Sequence, residues 1–158
     1  MEGNRDQQTF IRLYQEVYQD LYRFALYTLK NTHDAEDVTG DAVADAYESF
    51  GKLRSLDSFR PWIFKILSNK CKRKLKEYVN KTVELPDDLA CRIDGMEADC
   101  QVRQAFAGLN EEERLIISMH IFAGYTSREI GKILHKNENT IRSKESRALK
   151  KMERLLQE

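Results

Sequence analysis

The 158-residue chain predicts an all-α fold of two helical modules, and three observations lead there. Apolar side chains recur at steps of three and four through most of the chain, the pattern of amphipathic helices, and no segment needs a strand. Only two prolines and seven glycines occur, too few for a β-sandwich, a barrel or a collagen-like repeat. The periodicity lapses over residues 80–96, which hold Pro86, Asp87, Asp88 and Gly95. The expected organisation is a first module over 1–80, an acidic linker over 81–97 and a second module over 98–158.

Residues 6–30 carry Phe10, Leu13, Tyr14, Val17, Leu21, Phe24, Ala25 and Leu29 on one stripe, the first helix. Asn31-Thr32-His33 breaks it. A second helix is expected from about Asp34 to Phe50, with Asp34, Glu36 and Asp37 complementing the positive end of its dipole. Gly51 ends that helix, and Asp57 or Ser58 is the expected cap of a third, with Pro61 harmless in its first turn. This third helix runs to about Val79. Trp62, Ile63, Ile66, Leu67, Leu75 and Tyr78 form its apolar face, while Lys65, Asn69, Lys72, Arg73 and Lys76 line another.

Beyond the linker, residues 97–109 read as a helix through Val102, Ala105, Phe106 and Leu109. Asn110 with Glu113 opens the next, and Thr126 with Glu129 a shorter one, both as capping boxes. Lys136-Asn137 makes a tight turn, with Asn137 the expected cap. The last helix, to about Leu156, is buried through Ile141, Ala148, Leu149, Met152 and Leu155.

Charge narrows the function. The 26 basic and 26 acidic residues cancel, yet they are segregated. Residues 1–50 are net −6, 51–81 net +8, 82–113 net −7 and 114–158 net +5. Two basic segments suit a polyanionic partner, and clustering matters more than the sum. The three cysteines form no CxxC, the three histidines are scattered, and neither a disulfide framework nor a metal site is expected. No Ser/His/Asp set or phosphate loop points to an enzyme, and no cofactor is implied. No apolar run approaches the roughly 18–20 residues that span a bilayer, and MEGNRDQQTF lacks a signal-peptide core. A cytoplasmic protein is expected.

Residues 126–151 have the layout short helix, tight turn, longer basic helix: a helix-turn-helix. Thr140, Ser143, Lys144, Arg147 and Lys151 are read on one face of the second helix, where Arg and Lys can address guanine or phosphate. The basic stripe of the third helix, beside the aromatics Phe59 and Trp62, suits a single strand with its phosphates tracked and bases stacked. Either feature also fits an ordinary solvated helix face, with Phe59 and Trp62 in the core.

Three stretches together resemble the bacterial RNA polymerase sigma factors of the extracytoplasmic-function group. They are DAEDVTGDAVADAY at 34–47, FRPWIFKILSNKCKRKLKE at 59–77 and LNEEERLIISMHIFAGYTSREIGKILHKNENTIRSKESRAL at 109–149. The resemblance implies a region 2 bundle and a region 4 helix-turn-helix that bind the polymerase core through its β′ clamp and β flap. Asp34, Glu36, Asp37 and Asp41 would face the polymerase. Phe59, Lys65, Asn69, Lys72, Arg73 and Lys76, with the loop Lys52–Ser58, would receive the melted non-template strand at the −10 element. Thr140, Arg142, Ser143, Lys144 and Arg147 would enter the major groove at −35, with readout by Lys144 and Arg142. An anti-sigma partner is also implied, as is a linker threading near the RNA exit path. Gly40, Arg73 and His135 stand where the family commonly has Gln, Asp and Gly, and Glu145 puts an acid beside expected phosphate contacts. The alternatives are a stand-alone helix-turn-helix regulator, which would need a dimer interface, and a helical adaptor with no DNA role.

Overall fold

The computed structural model describes residues 6–81 and 97–157, with side chains outside 80–81 and 97–100. Among them lie seven α-helices and no strand: α1 (Gln7–Leu29), α2 (Thr32–Ser49), α3 (Phe59–Lys81), α4 (Glu97–Ala107), α5 (Glu111–Ile121), α6 (Ser127–Leu134) and α7 (Glu138–Gln157). Among the described residues no helix is long and apolar enough to cross a membrane. Most of the expected linker, including Cys91, falls outside the described residues.

The break between α1 and α2 is tighter than the sequence suggests. Lys30 takes the left-handed conformation (φ 58°), and Asn31 caps α2 by accepting from the Asp34 amide at 2.9 Å. Two residues therefore do what Asn31-Thr32-His33 was expected to do. The cap before α3 also moves. A 3-10 turn, Leu56–Ser58, runs directly into α3, and Ser55 accepts from the Asp57 amide.

Helices α1, α2 and α3 pack as a bundle around Leu21, Phe24, Ile63, Phe64 and Leu67, each fully buried. The buried residues of α2 are Ala35, Val38, Thr39, Ala42 and Ala46, small or short side chains that let its backbone approach its neighbours closely. In the second module α5 is the hub. Leu115 to Met119 are all buried, because α6, α7 and the first module's α1 and α3 surround it, while α4 packs on α7 and α1.

The modules pack against each other. Phe24 to Leu29 are buried without a break, since the end of α1 is covered by the second module as well as by its own bundle. Tyr27 meets Phe106 and Phe122 at ring-centroid distances of 5.1 and 5.2 Å. Three side chains fasten the contact through main-chain carbonyls. Arg114, 2% exposed, donates to Thr28 O at 2.9 Å and to Leu109 O at 2.6 Å. Arg60 donates to Phe122 O and to Asp20 Oδ2, and the Tyr125 hydroxyl donates to Pro61 O.

Two expected core positions are corrected. Leu149 and Leu155 are 46% and 40% exposed, because the buried stripe of α7 is confined to Ile141, Ala148 and Met152.

Arg114→Ala strands two buried carbonyls, since hydrogen bonds to a charged donor contribute about 1.5–3 kcal/mol. The expected outcome is a loss of roughly 2–4 kcal/mol in unfolding free energy, read from urea denaturation. A loss within 0.5 kcal/mol would show the contact to be incidental.

Candidate nucleic-acid interface

Each helix of the predicted helix-turn-helix has a defined start. Asn110 and Glu113 form a reciprocal capping box on α5, as do Thr126 and Glu129 on α6. Asn137 accepts from the Asn139 amide at 2.8 Å as α7 begins. The α6–α7 turn closes on two backbone constraints. His135 adopts φ 58°, in the left-handed region that favours glycine. Gly131 lies so close beneath the turn that a Cβ there would stand 2.6 Å from Lys136 O. Glu145, expected beside phosphates, turns inward instead: its side chain is 12% exposed and accepts from Ser127 Oγ at 2.8 Å, tying α7 to the start of α6.

The predicted −35 residues divide. Thr140, Arg142, Ser143 and Arg147 are exposed, and Arg142 carries only an i,i+4 pair with Glu138. Lys144 is not on that open face; its Nζ donates to Glu112 Oε2 at 2.5 Å. Lys151 is likewise drawn to α5, where its Nζ lies 3.0 and 3.1 Å from the two Glu113 oxygens. Sequence reasoning missed Asn139, Ser146 and Lys150, which are exposed on α7 at steps of three and four beside Ser143.

On α3, Lys65, Asn69, Arg73 and Lys76 are exposed and Lys72 half-exposed, none with an ion-pair partner among the described residues. Lys65, Asn69, Lys72 and Lys76 share one arc of the helix. Arg73 lies at its edge, lining a hollow with Asp37 and Asp41 of α2. Phe59 is corrected. It is 3% exposed, packed among Phe10, Phe50 and Trp62, and has no free face for a base. The loop cations Lys52 and Arg54 join Trp62 and Lys65 around a hollow of ≈600 Å³, whose far wall is Tyr125, Glu129, Lys132 and Ile133 of the second module. Of the predicted −10 residues Lys65 reaches this cleft, and none of the predicted −35 residues of α7 lines it.

The acidic face of α2 also divides. Glu36, Asp37 and Asp41 are exposed, Asp37 sharing a 3.3 Å pair with His33. Asp34 is corrected: it accepts from the Tyr78 hydroxyl, lies 3.8 Å from Lys74 Nζ, and serves to join α2 to α3. Burial and that bond to Asp34 push the Tyr78 phenol far above its ordinary range. Gly40 sits among these exposed carboxylates with open space where a Cβ would be. Cys71 is fully buried, and burial pushes its thiol upward, an inert core sulfur. Among the described residues no group of His, Cys, Asp or Glu is placed to hold a metal ion.

Comparison with known proteins accords with this geometry. The Sigma-70 region 2 family model matches residues 13–79 and the Sigma-70, region 4 model residues 105–154. The chain is 27% identical over 154 residues to the ECF RNA polymerase sigma factor SigM of Mycobacterium tuberculosis, covering 96% of this chain and 79% of that protein. It is 27% identical over 140 residues to the RNA polymerase sigma factor SigV of Bacillus subtilis, covering 85% and 82%. Its fold is similar to that of the sigma factor RpoE from Bartonella quintana, solved in complex with the anti-sigma factor NepR. That match has a TM-score of 0.75 at 19% identity and covers 94% of this chain and 96% of that one. CnrH, solved with the cytosolic domain of CnrY, matches with a TM-score of 0.67 at 20% identity, covering 96% and 90%.

Gly131→Ala drives a methyl into the Lys136 carbonyl, a backbone atom with little freedom to yield. The expected cost is about 1–3 kcal/mol of stability, with weakened duplex binding as the turn shifts; Gly40→Ala is the open-space control. Glu113 gives a pH signature. Burial raises its pKa, but the bonds from the Asn110 amide and Lys151 outweigh that and hold it below the ordinary 4.5. A depressed folded-state pKa stabilises above 4.5 and is lost as pH falls below it. Glu113→Gln should therefore be less stable than the parent at pH 7, and the gap should close below about pH 4 in thermal melts.

Proposed function

The chain belongs to the sigma-70 family of RNA polymerase sigma factors, in its extracytoplasmic-function group, and on that premise we propose how its helices divide the work of transcription initiation. Residues 1–80 dock on the polymerase core and take the −10 element, 81–97 connect, and 98–158 read the −35 element. The observation that carries this reading is the α6–turn–α7 unit. Both its helices are firmly capped, and Thr140, Arg142, Ser143 and Arg147 stand clear of the protein at the start of the longer one.

Arg142 and Arg147 offer guanine readout or phosphate contact, and Thr140 and Ser143 add hydroxyls. Lys144 joins them only by leaving Glu112. On α3 the arc Lys65, Asn69, Lys72 and Lys76 follows the backbone of the melted strand, with the loop cations Lys52 and Arg54 at its entrance. Base stacking falls to half-buried Trp62 rather than Phe59. Extruding a base costs a few kcal/mol, which contacts in this arc must offset. Glu36, Asp37 and Asp41 make the acidic docking face for a basic surface of the core, while Asp34 stays internal.

We assign no catalytic chemistry to the chain and place it in the cytoplasm, where its polymerase and promoter partners are. An anti-sigma factor is a further expected partner, since a structural neighbour was solved bound to one. Such a partner would act by holding the two modules together, which restricts how the α3 arc and the outer face of α7 engage one promoter.

Purified chain added to bacterial core polymerase should produce discrete transcript starts from a pool of genomic fragments, sharing two upstream motifs. Tight duplex binding without initiation would overturn the reading. Asp37→Arg should weaken binding to the core at least tenfold while duplex binding by the full chain persists. Unchanged core affinity would remove α2 from the docking surface.

A further inference from the structure

Glu112 is the second residue of α5, and its carboxylate joins two cations of the helix-turn-helix. Oε2 accepts from Lys144 Nζ on α7 at 2.5 Å, and Oε1 lies 3.0 Å from Lys136 Nζ in the α6–α7 turn. The three side chains are 29–40% exposed, so these are partly desolvated, charge-assisted bonds. Burial raises the carboxyl's pKa, but the bonds and charges of Lys144 and Lys136 outweigh it and hold the group below its ordinary value. Glu111, one residue earlier, has no ion-pair partner among the described residues. Of the α7 cations, Lys144 and Lys151 are committed to α5, while Arg147 and Lys150 are left facing solvent.

We propose that Glu112 is a specificity-determining residue of the −35 surface: it withholds Lys136 and Lys144 from the phosphate backbone, lowering affinity for any duplex and leaving recognition to the exposed side chains of α7. This rests on the reading of α6–α7 as the duplex-binding unit. Non-specific binding comes almost wholly from cations that displace condensed counterions, each contributing about 0.9 to the slope of log K against log salt. Two lysines held by a carboxylate contribute little to that slope. Base-directed contacts by Thr140, Arg142, Ser143 and Arg147 are untouched. The ratio of specific to non-specific affinity therefore rises.

The test uses the full chain and two short duplexes, one carrying the upstream motif from the mapped starts and one scrambled, titrated by fluorescence anisotropy between 50 and 200 mM salt. Glu112→Gln is expected to bind the scrambled duplex roughly tenfold more tightly and to steepen the salt slope by about 1 to 2. The ratio between the duplexes should fall. Glu111→Gln makes the same change in net charge one residue away and is expected to leave the slope unaltered. In a Lys136→Ala/Lys144→Ala background, Glu112→Gln should have no effect. Equal slopes for the two glutamine variants, or weaker binding by Glu112→Gln, would overturn the inference. Arg147→Ala separates it from the reading beneath: if that change leaves binding to both duplexes unaltered, the assignment of α7 to DNA falls, and the inference with it.

Discussion

The guanidinium of Arg114, buried with no carboxylate of the described residues bonded to it, is the contact on which the remaining geometry depends. Its hydrogen-bond partners are two main-chain carbonyls, Thr28 O at the end of α1 and Leu109 O just before α5. Burial pulls its pKa down, against the charge of Glu111, and a guanidinium stays protonated in proteins. A buried cation held by neutral acceptors is tolerable only if the surrounding packing is good. Elsewhere in the same module contact Tyr27, Phe106 and Phe122 pack ring against ring. The contact fixes the start of α5 relative to α1. Because Glu112 and Glu113 flank Arg114 on the same turn, it also fixes the carboxylates against which α7 is set.

The charge segregation of the sequence takes on a different meaning in the fold. The acidic α2 lies against the basic α3, with Asp45 on Lys70 and Asp34 near Lys74. The acidic start of α5 lies against the basic α7 and its preceding turn. Part of each basic block is thus answered from within the chain, and partly exposed pairs of this kind contribute only about 0–1 kcal/mol each. Their effect is on availability rather than stability. What a partner meets is the remainder: Glu36 and Asp41 on one side, the α3 arc and the outer face of α7 on the other.

Helix positions and types were legible because they rest on local chemistry: periodicity, the Asn110/Glu113 and Thr126/Glu129 boxes, the Asn137 cap. The exposure of Thr140, Arg142, Ser143 and Arg147 on α7 was legible for the same reason. What the sequence hid depended on a third element. Lys144 shares a face with Thr140 by helical spacing, but its long stem reaches sideways to α5. Asp34 looked like a dipole-complementing surface acid until α3 delivered Tyr78 and Lys74 to it. Phe59, ambiguous between stacking platform and core, was decided by Phe10 and Phe50 arriving from α1 and the end of α2. The packing of the modules left one readable trace, the unbroken run Phe24 to Leu29, longer than one bundle needs to bury.

The three fasteners between the modules, Arg60, Arg114 and Tyr125, each donate to a main-chain carbonyl: of Phe122, Thr28 and Pro61 respectively. A carbonyl is present whatever side chain its residue bears. The hydrogen bonds therefore constrain the donor side chains tightly and place no demand on the acceptor side chains, whose limits come from packing alone: Thr28 is fully buried and the Phe122 ring packs on Tyr27 and Phe106. Among diverging descendants of one ancestor, the mutual arrangement of the modules can outlast changes of identity at the acceptor positions that keep this packing, provided three donors are kept.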